Sequence, residues 1–371
     1  MYHPKIVENI TLFYPVYRIE RACVKNYNTV EVSVMKRIVF TKPNTAELLD
    51  HEIHEPQKNE VQVALAVSTI SSGTERANIM GSTTVAWNKP EAKEAIFPRY
   101  NGYSSAGIVT KVGEGVTDFS VGDRVALSWS THCQVLNMNT RLVHKLDDCI
   151  SFSDGALAHI ATFPLAAIRK CRFEIGESAI VMGMGVLGMI AVVLLKAGGA
   201  APIIAVDPDA SKREKALELG ADYALDPYDP NFGETAKKLT GGGVNVGIEV
   251  TGIGAGLNGI LDCMARFGRV ALLGCTRDSN FTIDYYRKVH GPGITLVGAH
   301  TNARPSWNSS DGWWTERDDF EAILRLTRLG RIKLSELVGE VHSPAEATEV
   351  YTRLCTEKTF PLVQFDWSKL Q

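Results

Sequence analysis

The chain has 371 residues, with 39 Lys and Arg against 42 Asp and Glu and a net charge of −3, so no basic field invites nucleic acid or an anionic membrane. Hydrophobic residues make up 45% and charged residues 22%, the balance of a globular chain with material for two cores. No apolar run nears the ~20 residues that a bilayer crossing needs. The seven cysteines are scattered without a CxxC pair, which argues against a disulfide framework and against a thiolate zinc site.

Residues 1–34 show neither clear periodicity nor a disordered composition. Two readings stand: an N-terminal extension that packs on the body, or an upstream start codon. The segment lacks the basic and apolar regions of a secretory signal, so a cytoplasmic location is expected. Met35 opens MKRIVFTKPNTAELLDHEI, which reads as a first strand. From 35 to 165 short Val- and Ile-rich runs (EVQVALAV, AGIVTKV, DRVALSW) alternate with Gly, Asn, Asp and Ser, predicting a small barrel or sandwich.

At about 166 the rhythm changes to strand–helix alternation. SAIVMG, PIIAVD, ADYALD, VNVGIEVT, RVALLG and ITLVGAH give six strands ending near His300, with helices through VLGMIAVVLLKAGG, SKREKALELG and GLNGILDCMARFG. Such alternation predicts a doubly wound parallel sheet over 166–304. Residues 305–371 carry one clear helix, with Thr315 and Asp318 at capping-box spacing, and then two strand-like ends.

The strongest chemical signal is Gly183-Met184-Gly185-Val186-Leu187-Gly188, set between the strand AIVM and an apolar helix. Gly183 permits the tight turn, Gly185 lets backbone approach a pyrophosphate, and Gly188 lets the helix pack close on the strand. The helix N-terminus offers free N–H groups and the positive end of its dipole. Asp207 ends the next strand, where a carboxylate accepts hydrogen bonds from ribose hydroxyls and repels a 2′-phosphate. NAD is therefore expected. NADP stays open, because Lys212 and Arg213 lie nearby and can seat a phosphate. Thr251, Gly252 and Gly274 end later strands, where this architecture places its ligand.

The chain resembles the medium-chain dehydrogenase/reductase superfamily from about Met35 to the C-terminus, through AGIVTKVGEGVTDFSVGDRVAL, GMGVLG and ALELGADYALD. The resemblance implies a GroES-like catalytic domain (35–165, completed by 305–371) interrupted by a Rossmann domain (166–304), with the active site in the cleft between them. It also implies a homodimer or homotetramer, and it places Thr162 near the nicotinamide. The family's zinc pattern GxCGTD appears here as Ile70-Ser71-Ser72-Gly73-Thr74-Glu75, and its GHE as Gly102-Tyr103-Ser104. Ser72 and Tyr103 thus stand where ligands would, and His159 is a lone candidate at the third position. Three ligands are needed, and the structural-zinc lobe is missing, so no metal is expected. The nearest likeness is to the zinc-lacking branch, including bacteriochlorophyllide-dehydrogenase-like members.

Hydride transfer to a carbonyl leaves charge on oxygen, and without zinc, hydrogen-bond donors must meet it. Tyr103 is the first candidate catalytic residue, a phenol that a positive neighbour would acidify; the alternative is a core tyrosine. Thr74 is the second, at the hydroxyl position that the resemblance assigns to proton relay; the alternative is a helix N-cap. His132 is the third, since imidazole titrates in the working range. Glu75 and Arg76 suit a charged substrate or a surface salt bridge, and Trp87, Trp129, Trp313 and Trp314 suit a pocket wall or a core. The resulting expectation is a zinc-independent enzyme moving a hydride between a nicotinamide and an alcohol or ketone, with polyols and sugar-like compounds among the candidates. An NADPH-dependent quinone or enone reductase and a non-catalytic dinucleotide-binding protein are the alternatives.

Overall fold

A computed structural model describes residues 33–84 and 94–370. The readings of residues 1–32 and of Trp87 fall outside them. The first described segment is a hairpin of β1 (Ser33–Lys42) and β2 (Thr45–Ile53), not one strand. Pro43 and Asn44 form its turn, and Asn44 takes φ 57° there, the left-handed position that Asn tolerates.

β3 (Glu60–Thr69) leads to α1 (Ser72–Ile79), and β4 (Arg99–Tyr100), β5 (Ser104–Val112), β6 (Arg124–Ser128), β7 (Val135–Asn139) and β8 (Val143–Lys145) follow. The long helix α2 (Phe152–Lys170) then enters the parallel part: β9 (Ala179–Met182), α3 (Val186–Gly198), β10 (Ile203–Val206), α4 (Ala210–Leu219), β11 (Tyr223–Leu225), α5 (Phe232–Leu239), β12 (Val244–Glu249), α6 (Gly254–Cys263), β13 (Met264–Leu272) and β14 (Thr295–Gly298). The chain closes with α7 (Glu316–Arg328), β15 (Glu340–His342), α8 (Ala347–Thr356) and β16 (Val363–Asp366).

The parallel strands make one six-stranded sheet in the order β11-β10-β9-β12-β13-β14. Its central strands are buried on both faces, β9 and β10 at every residue, which is why they read as continuous apolar runs without alternation. The β-rich part holds a seven-stranded sheet ordered β15-β16-β3-β5-β6-β8, with β7 also on β3, and a three-stranded sheet β2-β1-β4. β15 and β16 come from the C-terminus, so the chain returns to the sheet it began. Together these sheets are the GroES-like and Rossmann pair expected from the resemblance.

The boundary drawn at 165–166 falls inside α2. This helix is buried from Asp154 to Ile168, being apolar around its whole circumference, and packs in a core that joins β5 and β6 residues to α3 and α7. One predicted element is corrected: the helix through GLNGILDCMARFG stops at Cys263, and Met264 already has extended backbone and begins β13. No Gly or Pro marks that stop. Among the described residues, no helix is long and apolar enough to cross a membrane.

Candidate active site

A cavity of about 720 Å³ runs along the C-terminal ends of β9, β10, β12 and β13 and meets the start of α1. Gly183, Gly185, Val186, Leu187, Asp207, Thr251 and Gly274 all line it, opposite Ser71, Ser72, Gly73 and Thr74. The glycine turn behaves as its spacing requires. Gly183 has φ +101°, where L side chains are strained. A Cβ on Gly188 would sit 1.8 Å from the Gly183 carbonyl oxygen, so this glycine serves helix–strand packing and does not line the cavity. A Cβ on Gly185 would meet nothing within 4 Å, which leaves a cradle at the N-terminus of α3 that a side chain would fill.

Asp207 is buried, and its carboxylate accepts from Met184 N at 2.8 Å and Asp209 N at 2.9 Å. It therefore fixes the glycine turn while still facing the cavity, with lone pairs left for ribose hydroxyls. A second carboxylate escaped the sequence reading. Glu249 ends β12 buried and accepts from Thr251 N at 2.8 Å, from the Thr251 hydroxyl and from Gly252 N at 3.1 Å. Burial pushes its carboxyl up, and those donors pull the other way. The available signal was a charge set inside the apolar run VGIEV. Cys275, Arg277 and Phe281 also line the cavity unannounced.

Three placements need correction. Arg213 does not line the cavity: its guanidinium donates to the carbonyls of Asp207 (2.7 Å) and Pro208 (3.0 Å) and pairs with Asp226 at 3.3 Å. Lys212 instead lines a smaller adjoining cavity of about 370 Å³ with Lys215 and Lys358. Thr162 is fully buried in α2, its hydroxyl donating to the His159 carbonyl at 2.7 Å, because helical Thr readily bonds back along its own turn. His132 is also buried, with Nδ1 2.8 Å from Ser68 Oγ and Nε2 3.1 Å from Glu75 Oε2. It is part of a core network and does not line the cleft.

That network also accounts for Glu75, while Arg76 lines the adjoining cavity. Glu75 is 0% exposed and accepts from Ser71 N at 2.8 Å and from the Tyr351 hydroxyl at 2.5 Å. Arg76 donates to the carbonyls of Leu354 and Glu357. Thr74 lies inside α1, so Ser71 and not Thr74 holds the N-cap position. Trp313 and Trp314 are partly exposed and sit beneath Lys170 and Arg169.

Tyr103 donates its phenol hydrogen to Ser71 Oγ, on the α1 wall of the cavity. Burial raises its pKa well above the usual phenol range, against the pull of the Ser71 and Thr74 hydroxyls. Tyr103 therefore stays neutral and acts as a hydrogen-bond donor, contrary to an acidified phenol. Its ring lies 5.7 Å from His159, 5.8 Å from Phe163 and 6.0 Å from Trp129. His159 is enclosed by these rings, and the Trp129 indole donates to both oxygens of Glu316, at 3.0 and 3.1 Å.

Two family models match the chain: the alcohol dehydrogenase GroES-like domain over residues 58–207 and the zinc-binding dehydrogenase over 186–313. The D-guloside 3-dehydrogenase of Shigella flexneri is 25% identical over 334 residues, covering 85% of this chain and 95% of that one. The L-threonine 3-dehydrogenase of Pyrococcus horikoshii is 27% identical, covering 82% and 90%. Among solved structures, an alcohol dehydrogenase from E. coli CFT073 in complex with NADH superposes with a TM-score of 0.75 at 18% identity, over 90% of this chain and all of that one. The chain belongs to the medium-chain dehydrogenase/reductase superfamily and is a nicotinamide-dependent oxidoreductase.

The second model's name implies zinc, and the donor set here does not suit it. Ser72 and Tyr103 bring neither thiolate nor imidazole, and His159 is walled in by rings. Among the described residues, no three His, Cys, Asp or Glu side chains are placed to hold a metal ion.

Proposed function

We propose that this enzyme is a zinc-independent, NAD-linked dehydrogenase that interconverts an alcohol, of polyol or sugar-like kind, and its carbonyl partner. The observation that carries the reading is that Ser71 and Thr74 line the cavity across from the glycine turn, with the Tyr103 hydroxyl bonded to Ser71 Oγ. Both relatives above are named as dehydrogenases of hydroxylated substrates, which supports the substrate class. When bound, the nicotinamide supplies the hydride acceptor. The residues suited to hold its nucleotide are Gly183, Gly185 and the α3 N-terminus for the pyrophosphate, Asp207 for a ribose, and Thr251 and Gly274 along the strand ends.

The chain's own part in the reaction is to meet the oxygen. A neutral phenol and two hydroxyls can donate to the substrate oxygen as charge develops on it, in place of a Lewis acid, while the alcohol's proton leaves to solvent water. Tyr103→Phe should lower kcat about 100-fold, the cost of losing one such donor, with the NADH dissociation constant unchanged. Turnover should survive chelators in protein free of stoichiometric zinc. One zinc per chain in the active enzyme, lost along with turnover on chelation, ends this reading.

Asp207 supports NAD over NADP, since a carboxylate beside the ribose repels a second phosphate. Asp207→Ser should weaken NADH about tenfold, as expected for a charge-assisted hydrogen bond, and narrow the gap to NADPH. Wild-type preference for NADPH, measured by cofactor fluorescence, would favour the quinone or enone reductase instead. Lys212, Lys215 and Lys358 in the adjoining cavity are what favours that second reading. The open edge at β14, with Thr295, Leu296 and Gly298 exposed, supports a dimer built by sheet pairing.

A further inference from the structure

We propose that Glu316, clamped by Trp129, receives a second hydroxyl of the substrate, so that the enzyme selects alcohols carrying a hydroxyl next to the reacting one. The inference rests on the dehydrogenase reading and names the group that the site would recognise beside the reacting carbinol.

The position is built from three parts of the chain. Trp129 follows β6 and adopts φ 57°, a left-handed conformation costly for a bulky residue. The strain aims its indole N–H at both carboxylate oxygens of Glu316, the first residue of α7. The Glu316 side chain remains 26% exposed. α2 supplies His159, whose Nδ1 lies 3.6 Å from Glu316 Oε1. Neither His159 ring nitrogen has a hydrogen-bond partner although the residue is 0% exposed. Arg304 Nε and Nη1 are likewise buried without a hydrogen bond.

Buried polar atoms are nearly always paired, and leaving one unpaired is costly. Several such atoms beside one partly open carboxylate point to a polar ligand that arrives with the substrate. Both Glu316 oxygens accept from the Trp129 indole N–H, so the side chain presents acceptors to the space beside it. Arg304 and Arg169 supply two positive charges, Asp319 lies between them, with ion pairs to both, and Glu316 supplies the second negative charge. Burial raises the Glu316 carboxyl, while Arg304 and the Trp129 and Ser128 hydrogen bonds oppose that rise. His144 on β8, stacked on Phe320, and Arg317 on α7 complete the surrounding titratable groups.

An ionised carboxylate accepts only, and two oxygens holding one indole N–H have lone pairs left over. The rings of Tyr103, Trp129 and Phe163 supply an apolar wall beside them. Aromatic faces plus one fixed acceptor suit a carbon chain bearing adjacent hydroxyls. A site built to bond a hydroxyl rejects analogues that lack it, because its polar groups are then left unpaired.

Three probes separate the possibilities: 1,2-propanediol, 1-methoxy-2-propanol and 2-butanol, each assayed for kcat/KM with NAD. The wild type should favour the diol about 30-fold or more over both others, the range of a hydroxyl donated to a charged group. Glu316→Gln should erase that preference, lowering kcat/KM for the diol about 30-fold relative to 2-butanol. Trp129→Phe, which removes the clamp, should reduce the preference in the same direction. NADH affinity should match wild type in both. A wild type that oxidises all three equally, or a Glu316→Gln enzyme that loses all three in proportion, overturns the proposal and leaves the dehydrogenase reading standing. A wild type that forms no NADH from any alcohol removes that reading, and the proposal with it.

Discussion

Gly188→Ala should yield a protein that no longer binds NADH and melts early, whereas Gly185→Ala should lose the nucleotide and keep its melting temperature. The two glycines lie three residues apart and do different work. A methyl group on Gly188 would overlap the Gly183 carbonyl oxygen at 1.8 Å and its carbon at 2.9 Å. α3 must then move off the turn, an overpacking cost of about 1–3 kcal/mol. For 371 residues that corresponds to a fall of roughly 1–4 °C in Tm. Because the pyrophosphate is expected at the N-terminus of α3, displacing that helix should also abolish binding. Gly185 has φ −80° and ψ −170°, which any residue adopts, and its Cβ would meet no atom within 4 Å. Alanine there should fold normally, within about 1 °C of wild type, since exchanging Gly for Ala at an N-cap costs under about 1 kcal/mol. The same methyl group occupies the space a phosphate would need, and NADH should bind at least about 30-fold more weakly, some 2 kcal/mol. Calorimetry and fluorescence titration of both variants test the claim. If Gly185→Ala binds NADH as tightly as wild type, the nucleotide does not lie across this turn.

What the sequence disclosed follows the range over which its signals act. The glycine turn, the strand before it and Asp207 lie within one βαβ unit, so local spacing was enough to place them at one cavity. The parallel sheet was legible because its central strands are buried on both faces and read as unbroken apolar runs. The wall proposed to meet the substrate was only half legible. Tyr103 and Thr74 could be named from motif positions, but Ser71, the acceptor of the phenol, looked like any serine before a helix. His132 and Thr162 looked like candidates because their residue types are chemically able. Their surroundings come from far along the chain: Trp367 bonds Ser68 across 299 residues and Tyr351 reaches Glu75 across 276 around His132, and Arg304 reaches the Thr162 carbonyl across 142. The Trp129–Glu316 contact spans 187 residues and leaves no local trace. The hairpin of β1 and β2 was merged into one strand because Pro43-Asn44 is a short turn inside a mixed run.

Glu75→Ala should be the most destabilising single change in the β-rich part, by about 3–5 kcal/mol, because several buried donors lose their acceptor together. The carboxylate sits on α1 with no solvent contact and collects three donors: Ser71 N, His132 Nε2 and the Tyr351 hydroxyl. The Trp367 indole can only donate, and it donates to Ser68 Oγ at 2.9 Å, which leaves the Ser68 proton for His132 Nδ1. One acid thus joins α1, α8, β3, the segment before β7 and the turn after β16. Removing it leaves buried donors unpaired, each costing about 1–3 kcal/mol. The effect should reach the active site as well, because the Ser71 backbone that Glu75 holds carries the hydroxyl that accepts from Tyr103. Tyr351→Phe removes one donor but leaves the other two contacts, and should cost about 1 kcal/mol. In the double variant the deficits should not add, since Tyr351 has lost its acceptor already; a coupling of about 0.5–3 kcal/mol is expected for residues sharing a network. Urea titration of the four proteins measures the coupling, and kcat at fixed NAD reports on Ser71. A Glu75→Ala protein within 1 kcal/mol of wild type would mean that water replaces the carboxylate and that Ser71 is held by α1 alone.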